Sequence, residues 1–307
     1  MKVSVIVPVY NVGNLIEKCL HSLLSQTLDD IEYIFIDDCS TDNSVLVIEE
    51  VLSQYPSRKE RVRLVRMPYN IGVAAARHRG VELANGEYVI FCDSDDWVNT
   101  CMFEELYTTC KGGDYDIVIC DYNITNGDQR NLHVSQKVPR TKLELMSKLL
   151  SGRVHGSLCN KMVKRILYEN IIFPVGNMRE DLAMLIQLLH NASKFHYINR
   201  PYYNYYVRSG SVSSGTTDVS IINRYEQSLL NYDLIEKFVE AHNLNMKKPL
   251  LALRLSIMMT VWNLSDRNML KKIWNDNPLK VSLIDLLMLD VPVNYKIKYL
   301  LLYYSIK

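Results

Sequence analysis

Three carboxylates, Asp93, Asp95 and Asp96, stand within four positions directly after the apolar run Tyr88-Val89-Ile90-Phe91-Cys92. Five apolar or aromatic residues in a row are too few for an ordinary helix and read as a strand buried on both faces. In extended backbone the side chains alternate, so Asp93 and Asp95 face one way and Ser94 the other. Two carboxylates held side by side at a strand end repel unless something positive lies between them. A hard divalent cation with oxygen ligands, carrying a phosphorylated substrate, meets that need. The spacing also suits an acidic turn in which Asp96 caps the next helix. Asp-x-Asp is weak by itself, and its weight depends on what else reaches the same place.

The elements that must position these carboxylates precede them. Val3 to Val9 is a β-branched run closed by Pro8-Val9-Tyr10-Asn11, which predicts a buried parallel strand and then a loop. Leu15, Cys19, Leu20, Leu23 and Leu24 recur at helical spacing. Ile31 to Ile36 is a second strand, and the polar cluster Asp37 to Ser44 opens a helix over Val45, Ile48, Val51 and Leu52. Val62 to Val65 is a third strand. Asn70-Ile71-Gly72 turns into the helix Val73 to Leu83, and Asn85-Gly86 turns back into the central strand. This alternation predicts an α/β layer, Rossmann-like, with a mostly parallel sheet flanked by helices.

In such sheets ligands collect beyond the carboxyl ends of the strands. Tyr10-Asn11, Asp37-Asp38, Asn70 and Asp93-Asp95 all arrive there. Each cluster alone is ordinary turn chemistry; four at one edge predict a site. The chain has no Gly-x-Gly-x-x-Gly after its first strand and no Gly-Lys-Ser/Thr loop, which counts against dinucleotide oxidoreductases and P-loop enzymes. A nucleotide would then rest on an aromatic face, a carboxylate and a metal. Tyr10 could stack on a base, Asp38 accept from a base N–H, and Arg77 meet a phosphate oxygen. The plain alternatives are Tyr10 as packing and Arg77 as a solvated helix charge, and Ala74 to Ala76 reads as close helix-on-sheet packing.

Beyond the strand Ile117 to Asp121 the alternation weakens. A helix over Thr141 to Leu150 and a short mixed stretch, Ser157 to Arg165, lead to a loop from Phe173 that enters a helix ending near His190. Glu180 and Asp181 lie in its first turn, where acids suit the helix dipole and equally suit a general base. Short strands at 195–200 and 202–207 precede Arg208-Ser209-Gly210-Ser211, a makeup fit for a diphosphate or for a flexible connection. From about Thr217 every element reads as helix. The expected division is an α/β domain over 1–215, with halves of about 1–121 and 122–215, followed by a helical region over 216–307.

Composition is ordinary for a soluble protein, with 48% hydrophobic and 22% charged residues, and a net charge of +1 gives no reason to expect nucleic acid. The charge is unevenly spread. Residues 245–307 carry ten Lys/Arg against four Asp, a net of +6, leaving −5 on the rest. A basic tail on an acidic body predicts an anionic counterpart. The stretch Tyr295 to Tyr304 mixes aromatics, leucines and lysines, which suits the headgroup plane of an anionic membrane or docking on the protein's own core. Seven cysteines without a Cys-x-x-Cys pair favour a reducing cytosol. No signal-peptide pattern opens the sequence, and no apolar run reaches the ~20 residues of a membrane span. The expected location is the cytoplasm, extending to the inner face of the plasma membrane.

As a set, Ser4 to Asn11, Asp37 to Asp42, Asn70-Ile71-Gly72 through Ala76-Arg77, Asp93 to Asp96 and Glu180-Asp181 make the chain resemble a family 2 glycosyltransferase of the GT-A fold. It is similar to bacterial enzymes that build capsule, exopolysaccharide, O-antigen or teichoic-acid chains, and the resemblance covers roughly residues 2–213. The resemblance implies inverting, metal-dependent transfer from a nucleotide-diphosphate sugar, usually uridine-based, to a hydroxyl of a glycan or lipid-linked saccharide. By it, Pro8 and Tyr10 line the base pocket and Asp38 contacts the base. Asn70 and Arg77 sit near the base and sugar phosphates, Asp93 contacts the ribose or donor sugar, and Asp95 binds Mg²⁺ or Mn²⁺. Asp181 matches the acceptor-activating base with Glu180 beside it, and Arg208 and Ser211 fall in a loop closing over the diphosphate. Asp37, Asp96 and Lys161 are supporting positions without an assigned contact. Cys39 stands where the family usually has Gly, so the turn after Asp38 is expected to differ in backbone conformation; His78 replaces a frequent Asn. Two rivals remain: a sugar nucleotidyltransferase, which would open with a Gly-rich phosphate loop, and a non-catalytic nucleotide-sugar-binding subunit, which would not need Asp181.

Overall fold

In the computed structural model, which describes residues 1–126, 131–207, 215–276, 281–289 and 291–306, the chain forms two compact units. The first comprises 1–138, 157–173 and the segment from 187 through the last strand; the second gathers 139–156 and 174–186 with the C-terminal helices.

All nine strands among the described residues lie in the first unit. They are β1 (Val3–Val9), β2 (Ile31–Asp37), β3 (Val62–Arg66), β4 (Tyr88–Phe91), β5 (Trp97–Val98), β6 (Ile117–Thr125), β7 (Asn131–Val134), β8 (Lys161–Lys164) and β9 (Phe195–Tyr206). The sheet order is β3-β2-β1-β4-β8-β6-β9-β5, with β7 against β6. β1 runs parallel to β2 and β4, and β2 parallel to β3, as the alternation predicts. β8 enters antiparallel between β4 and β6. The two short strands expected at 195–200 and 202–207 are one strand, β9, parallel to β6. Its pairing jumps from Cys120↔Ile198 to Asp121↔Pro201 and again to Tyr122↔Tyr203. The irregularity accommodates Pro201, which has no N–H to give to a ladder.

Helices α1 (Ile16–Leu24), α2 (Ser44–Ser53), the single turn α3 (Pro56–Lys59) and α4 (Val73–Leu83) connect the parallel strands. Ala74 and Ala76 are buried, and α4 approaches β1 so closely that a Cβ on Gly80 would lie 2.2 Å from Ile6 Cγ2. Glycine alone permits that approach. Helix α5 (Met102–Gly113) is not among the expected elements, although Met102, Phe103, Leu106 and Cys110 bury one face of it.

The second unit contains α6 (Lys142–Leu150), the start of α7 (Glu180–Asn191), α8 (Asp218–Ala241), α9 (Lys247–Met258), α10 (Arg267–Asp276), α11 (Leu283–Met288) and α12 (Val293–Ile306). α6 packs on α9. The loop before α7 is tied down by side chains: Asn231 Nδ2 donates to the carbonyls of Gly176 and Met178 (2.7 and 2.8 Å) and Gln227 Oε1 accepts the Asn177 N–H (2.9 Å). Arg179 Nη2 donates to Ser256 Oγ at 3.0 Å. These ties draw 139–156 and 174–186 toward the helices, so compactness does not follow a single cut near residue 215. Among the described residues, no helix is long and apolar enough to cross a membrane.

Candidate active site

β1 pairs with β4 only as far as Ile6↔Phe91, yet stays with β2 to Val9↔Asp37. Pro8 therefore sits where one side of β1 has no partner strand, a position that tolerates its missing N–H. The next side chain beyond β1, Tyr10, is 48% exposed, so it is not the packing residue of the plain reading. Asn11 then adopts a left-handed conformation, φ 50°. Its N–H donates to Ser40 Oγ (3.1 Å) and its Oδ1 accepts the Thr41 N–H (2.9 Å). Val12 N–H donates to Ser44 Oγ (2.9 Å) and Gly13 N–H to Asp42 Oδ2 (2.9 Å). The loops after β1 and β2 are thus stitched into one surface. Although partial burial raises the Asp42 carboxyl, donation from Ser44 and from the Gly13 N–H holds it below its usual value.

Asp37 is fully buried, accepts the Ser40 N–H at 3.0 Å and lies 3.3 Å from Arg66 Nε. Asp38 organises the neighbouring turn. Its Oδ1 accepts the Ile71 N–H (2.7 Å), its Oδ2 the Gly72 N–H (2.8 Å), and its carbonyl accepts from Asn70 Nδ2 (3.3 Å). Both carboxylate oxygens are engaged, and the residue is 3% exposed. Cys39 has φ 62°. This left-handed conformation is one that glycine adopts more readily than cysteine.

Arg77 is 2% exposed, which excludes a solvated helix charge. Its Nη2 donates to Asp93 Oδ1 at 2.8 Å, and its guanidinium stands 5.6 Å from the Phe91 ring centre. The arginine expected at a phosphate orients a carboxylate of the acidic cluster. From Asp93 the backbone is a turn, not an extended strand, closed by the Asp96 N–H to the Asp93 carbonyl at 3.0 Å. The alternation survives that change: Asp93 and Asp95 are partly exposed, whereas Ser94 and Asp96 are buried. Asp96 caps no helix, and α5 begins after Cys101 without a side-chain cap bond. Asp96 instead accepts from the Tyr203 hydroxyl and, at 2.7 Å, from the Tyr206 N–H, both on β9. Burial first, then the charges of Asp93 and Asp95, push the Asp96 carboxyl well above the usual carboxylate range.

Among the described residues, no three His, Cys, Asp or Glu side chains converge as a ready-made metal cage. Mg²⁺ and similar ions held by one or two carboxylates and substrate phosphates need no such cage. With Asp93 turned to Arg77, Asp95, partly exposed on the same turn, is the carboxylate whose placement fits that arrangement.

Glu180 and Asp181 occupy the first turn of α7, directly after Arg179, which has φ 64°. Glu180 is buried and Asp181 partly exposed. Asn70 is exposed on the turn that Asp38 holds. Lys161 is fully buried, its Nζ donating to the Ser157 carbonyl (2.5 Å) and Asn160 Oδ1 (2.8 Å), contacts that stabilise the start of β8. Arg208 and Ser211 lie outside the described residues. Two contributors have no signal in the sequence. Tyr203 reaches the acidic turn from a strand over a hundred positions away, and Lys18 Nζ stands 3.4 Å from the ring centre of Trp97, the residue following that turn.

The sequence profile of Glycosyl transferase family 2 matches residues 4–172. The chain belongs to the family 2 glycosyltransferases. A cholesterol galactosyltransferase of Borreliella burgdorferi is 31% identical to this glycosyltransferase over 289 residues, covering 87% of this chain and 78% of that protein. Among solved structures, S. aureus TarS 1-349 in complex with UDP-GlcNAc superposes with a TM-score of 0.64 at 21% identity, over all of this chain and 90% of the other. The mannosyltransferase PcManGT from Pyrobaculum calidifontis, in complex with GDP-Man and Mn²⁺, gives 0.56 at 16% identity over 98% and 86%. At those identities the likeness establishes the fold, and it is the GT-A fold expected from the motifs.

Proposed function

We propose that this glycosyltransferase moves a sugar, with inversion at C1, from a UDP-sugar to a hydroxyl of a glycan or lipid-linked saccharide in cell-surface polysaccharide synthesis. The observation that carries the reading is the turn Asp93–Asp96, which presents two partly exposed carboxylates at the sheet edge while Arg77, Tyr203 and the Tyr206 N–H fix it from behind. A Mg²⁺ or Mn²⁺ held at Asp95 would offset the charge that develops on the leaving diphosphate. Exposed Tyr10 offers a face to the base, and Asp38 holds the Asn70–Gly72 turn beside it. Asp181 takes the acceptor hydroxyl's proton as that oxygen bonds to C1 and the C1–phosphate oxygen bond breaks. One displacement without a covalent sugar–enzyme intermediate inverts the anomeric centre. The UDP assignment draws support from the fold neighbour bound to UDP-GlcNAc, and the metal assignment from the one bound to Mn²⁺. All seven cysteines stand as thiols, which supports a reducing, cytoplasmic location, with the basic C-terminal region at the inner face of the membrane.

The decisive experiment compares Asp181→Asn and Asp95→Ala. Asp181→Asn is expected to lower transfer by roughly 10²–10⁴-fold while UDP affinity, measured by calorimetry with Mn²⁺, stays within about twofold. Asp95→Ala is expected to erase the Mn²⁺ dependence of UDP binding. Near-normal turnover in Asp181→Asn removes the base assignment. Wild-type protein that binds UDP-sugars yet neither transfers nor slowly hydrolyses them is a binding subunit.

A further inference from the structure

We infer that α11 and α12 form a face that docks on an anionic lipid bilayer. On α12 the side chains of Val293, Ile297, Leu301 and Tyr304 are between 52% and 70% exposed. At about 100° per residue they fall within one stripe roughly 80° wide. The opposite side of the helix is already used: Tyr299 and Leu302 are buried, and the Tyr299 ring lies 5.3 Å from that of Trp274. The two readings that the sequence left open for this segment, docking on its own core and meeting a membrane, therefore belong to opposite sides of one helix.

α11 extends the apolar area. Leu283, Ile284, Leu287 and Met288 are 56% to 75% exposed, while Leu286 turns inward. Lys296 Nζ donates to the Leu287 carbonyl at 2.7 Å and joins the two helices at this surface. Isolated exposed leucines are unremarkable in any protein, but eight large apolar side chains exposed within 22 positions, on two helices tied by Lys296, call for a counterpart.

Charge identifies the counterpart. Lys296 and Lys298 lie about 100° to either side of the centre of the α12 stripe, Lys296 Nζ at the Leu287 carbonyl and Lys298 Nζ 5.2 Å from the Trp262 ring centre, so two positive charges flank the apolar face. No acid occurs on α12, and the acid of α11, Asp285, points about 130° away from that helix's apolar centre, its Oδ2 accepting from the Ser282 hydroxyl while its N–H donates to Ser282 Oγ. A second copy of the chain would set these lysines against their equivalents, whereas an anionic bilayer complements both the lysines and the +6 of residues 245–307. The inference rests on the proposed function for the location of the acceptor alone; the binding it asserts is independent of turnover.

Flotation of the full chain with phosphatidylcholine vesicles, with and without phosphatidylglycerol, tests it. The wild type is expected to float with anionic vesicles, weakly with neutral ones, and less at high salt. Ile297→Glu/Leu301→Glu, at exposed positions that leave the fold intact by circular dichroism, is expected to lose at least tenfold in partitioning. Lys296→Gln/Lys298→Gln is expected to lose about fivefold per lysine at low salt. Equal partitioning onto neutral and anionic vesicles, or full flotation of the double glutamate variant, overturns the inference. So does a dimer in light scattering that the glutamates dissolve while no chain floats. Transfer to a water-soluble acceptor is measured alongside, so that failure of the catalytic reading shows separately.

Discussion

The Tyr203 hydroxyl is shared between two members of the acidic turn, donating to Asp96 Oδ2 and accepting the Asp93 N–H at 3.2 Å. Burial, and then the Asp96 charge, push the phenol well above its usual range, so it remains a donor at neutral pH. One side chain thus sets both ends of the turn.

Tyr203→Phe removes a hydrogen bond to a buried carboxylate, a loss of about 1.5–3 kcal/mol. Asp96 keeps the Tyr206 N–H. The urea midpoint is expected to fall accordingly and UDP affinity in Mn²⁺ to weaken about tenfold. Calorimetry and urea titration measure the two effects. A variant unchanged in both would show that the turn stands without this tie.

Asp38→Ala leaves the Ile71 and Gly72 N–H groups without their acceptor, a cost of about 1–3 kcal/mol for each that stays desolvated. Asp38→Asn keeps one acceptor oxygen and is expected to cost roughly half as much. Chemical denaturation ranks the pair. Equal stability of all three proteins would mean that the turn recruits water at no cost.

Cys39→Gly is expected to raise stability by about 0.5–1 kcal/mol. Left-handed backbone costs an ordinary residue about 1–2 kcal/mol, and glycine's greater freedom in the unfolded chain returns part of that gain. Cys39→Val, β-branched at the same φ, is expected to lower stability. The order of melting temperatures, Gly above Cys above Val, is the check.

Asp42 contributes to a pH dependence of known sign. Its folded pKa lies below the ordinary 3.8, so the stability it adds is complete at neutral pH and is lost as pH falls below about 4 through the lowered value. Because the side chain is exposed, the effect is at most about 1 kcal/mol. The gap in urea midpoint between wild type and Asp42→Ala is therefore expected at pH 7 and expected to shrink as pH falls below about 4. A gap that widens on acidification would reverse the assignment.

Strands buried on both faces were the most legible part of the sequence. Val3–Val9, Ile31–Asp37 and Tyr88–Phe91 announce themselves as unbroken apolar runs, and their order puts Tyr10, Asp38 and Asp93 at one edge. Lys161–Lys164 does not read as a strand, because its first lysine is satisfied inside the protein by Ser157 and Asn160, which no periodicity reveals. Trp97–Val98 is too short to carry a pattern. Met102, Phe103, Leu106 and Cys110 do carry one, and α5 was within reach of the spacing alone. At the site, the alternate exposure of Asp93 to Asp96 follows from the sequence although the backbone turns. The pairing of Arg77 with Asp93, and of Asp96 with Tyr203, depends on tertiary approach and could not.

The ties from Asn231, Gln227 and Ser256 to residues 176–179 have an engineering consequence. They anchor the segment that leads into Asp181, and α6, whose Leu145, Met146, Leu149 and Leu150 are buried, packs on α9. A chimera that swaps everything past residue 215 for a relative's tail would inherit mismatched moorings under two internal segments. Grafts that exchange 139–156 and 174–186 together with the helices are the ones that keep these moorings matched.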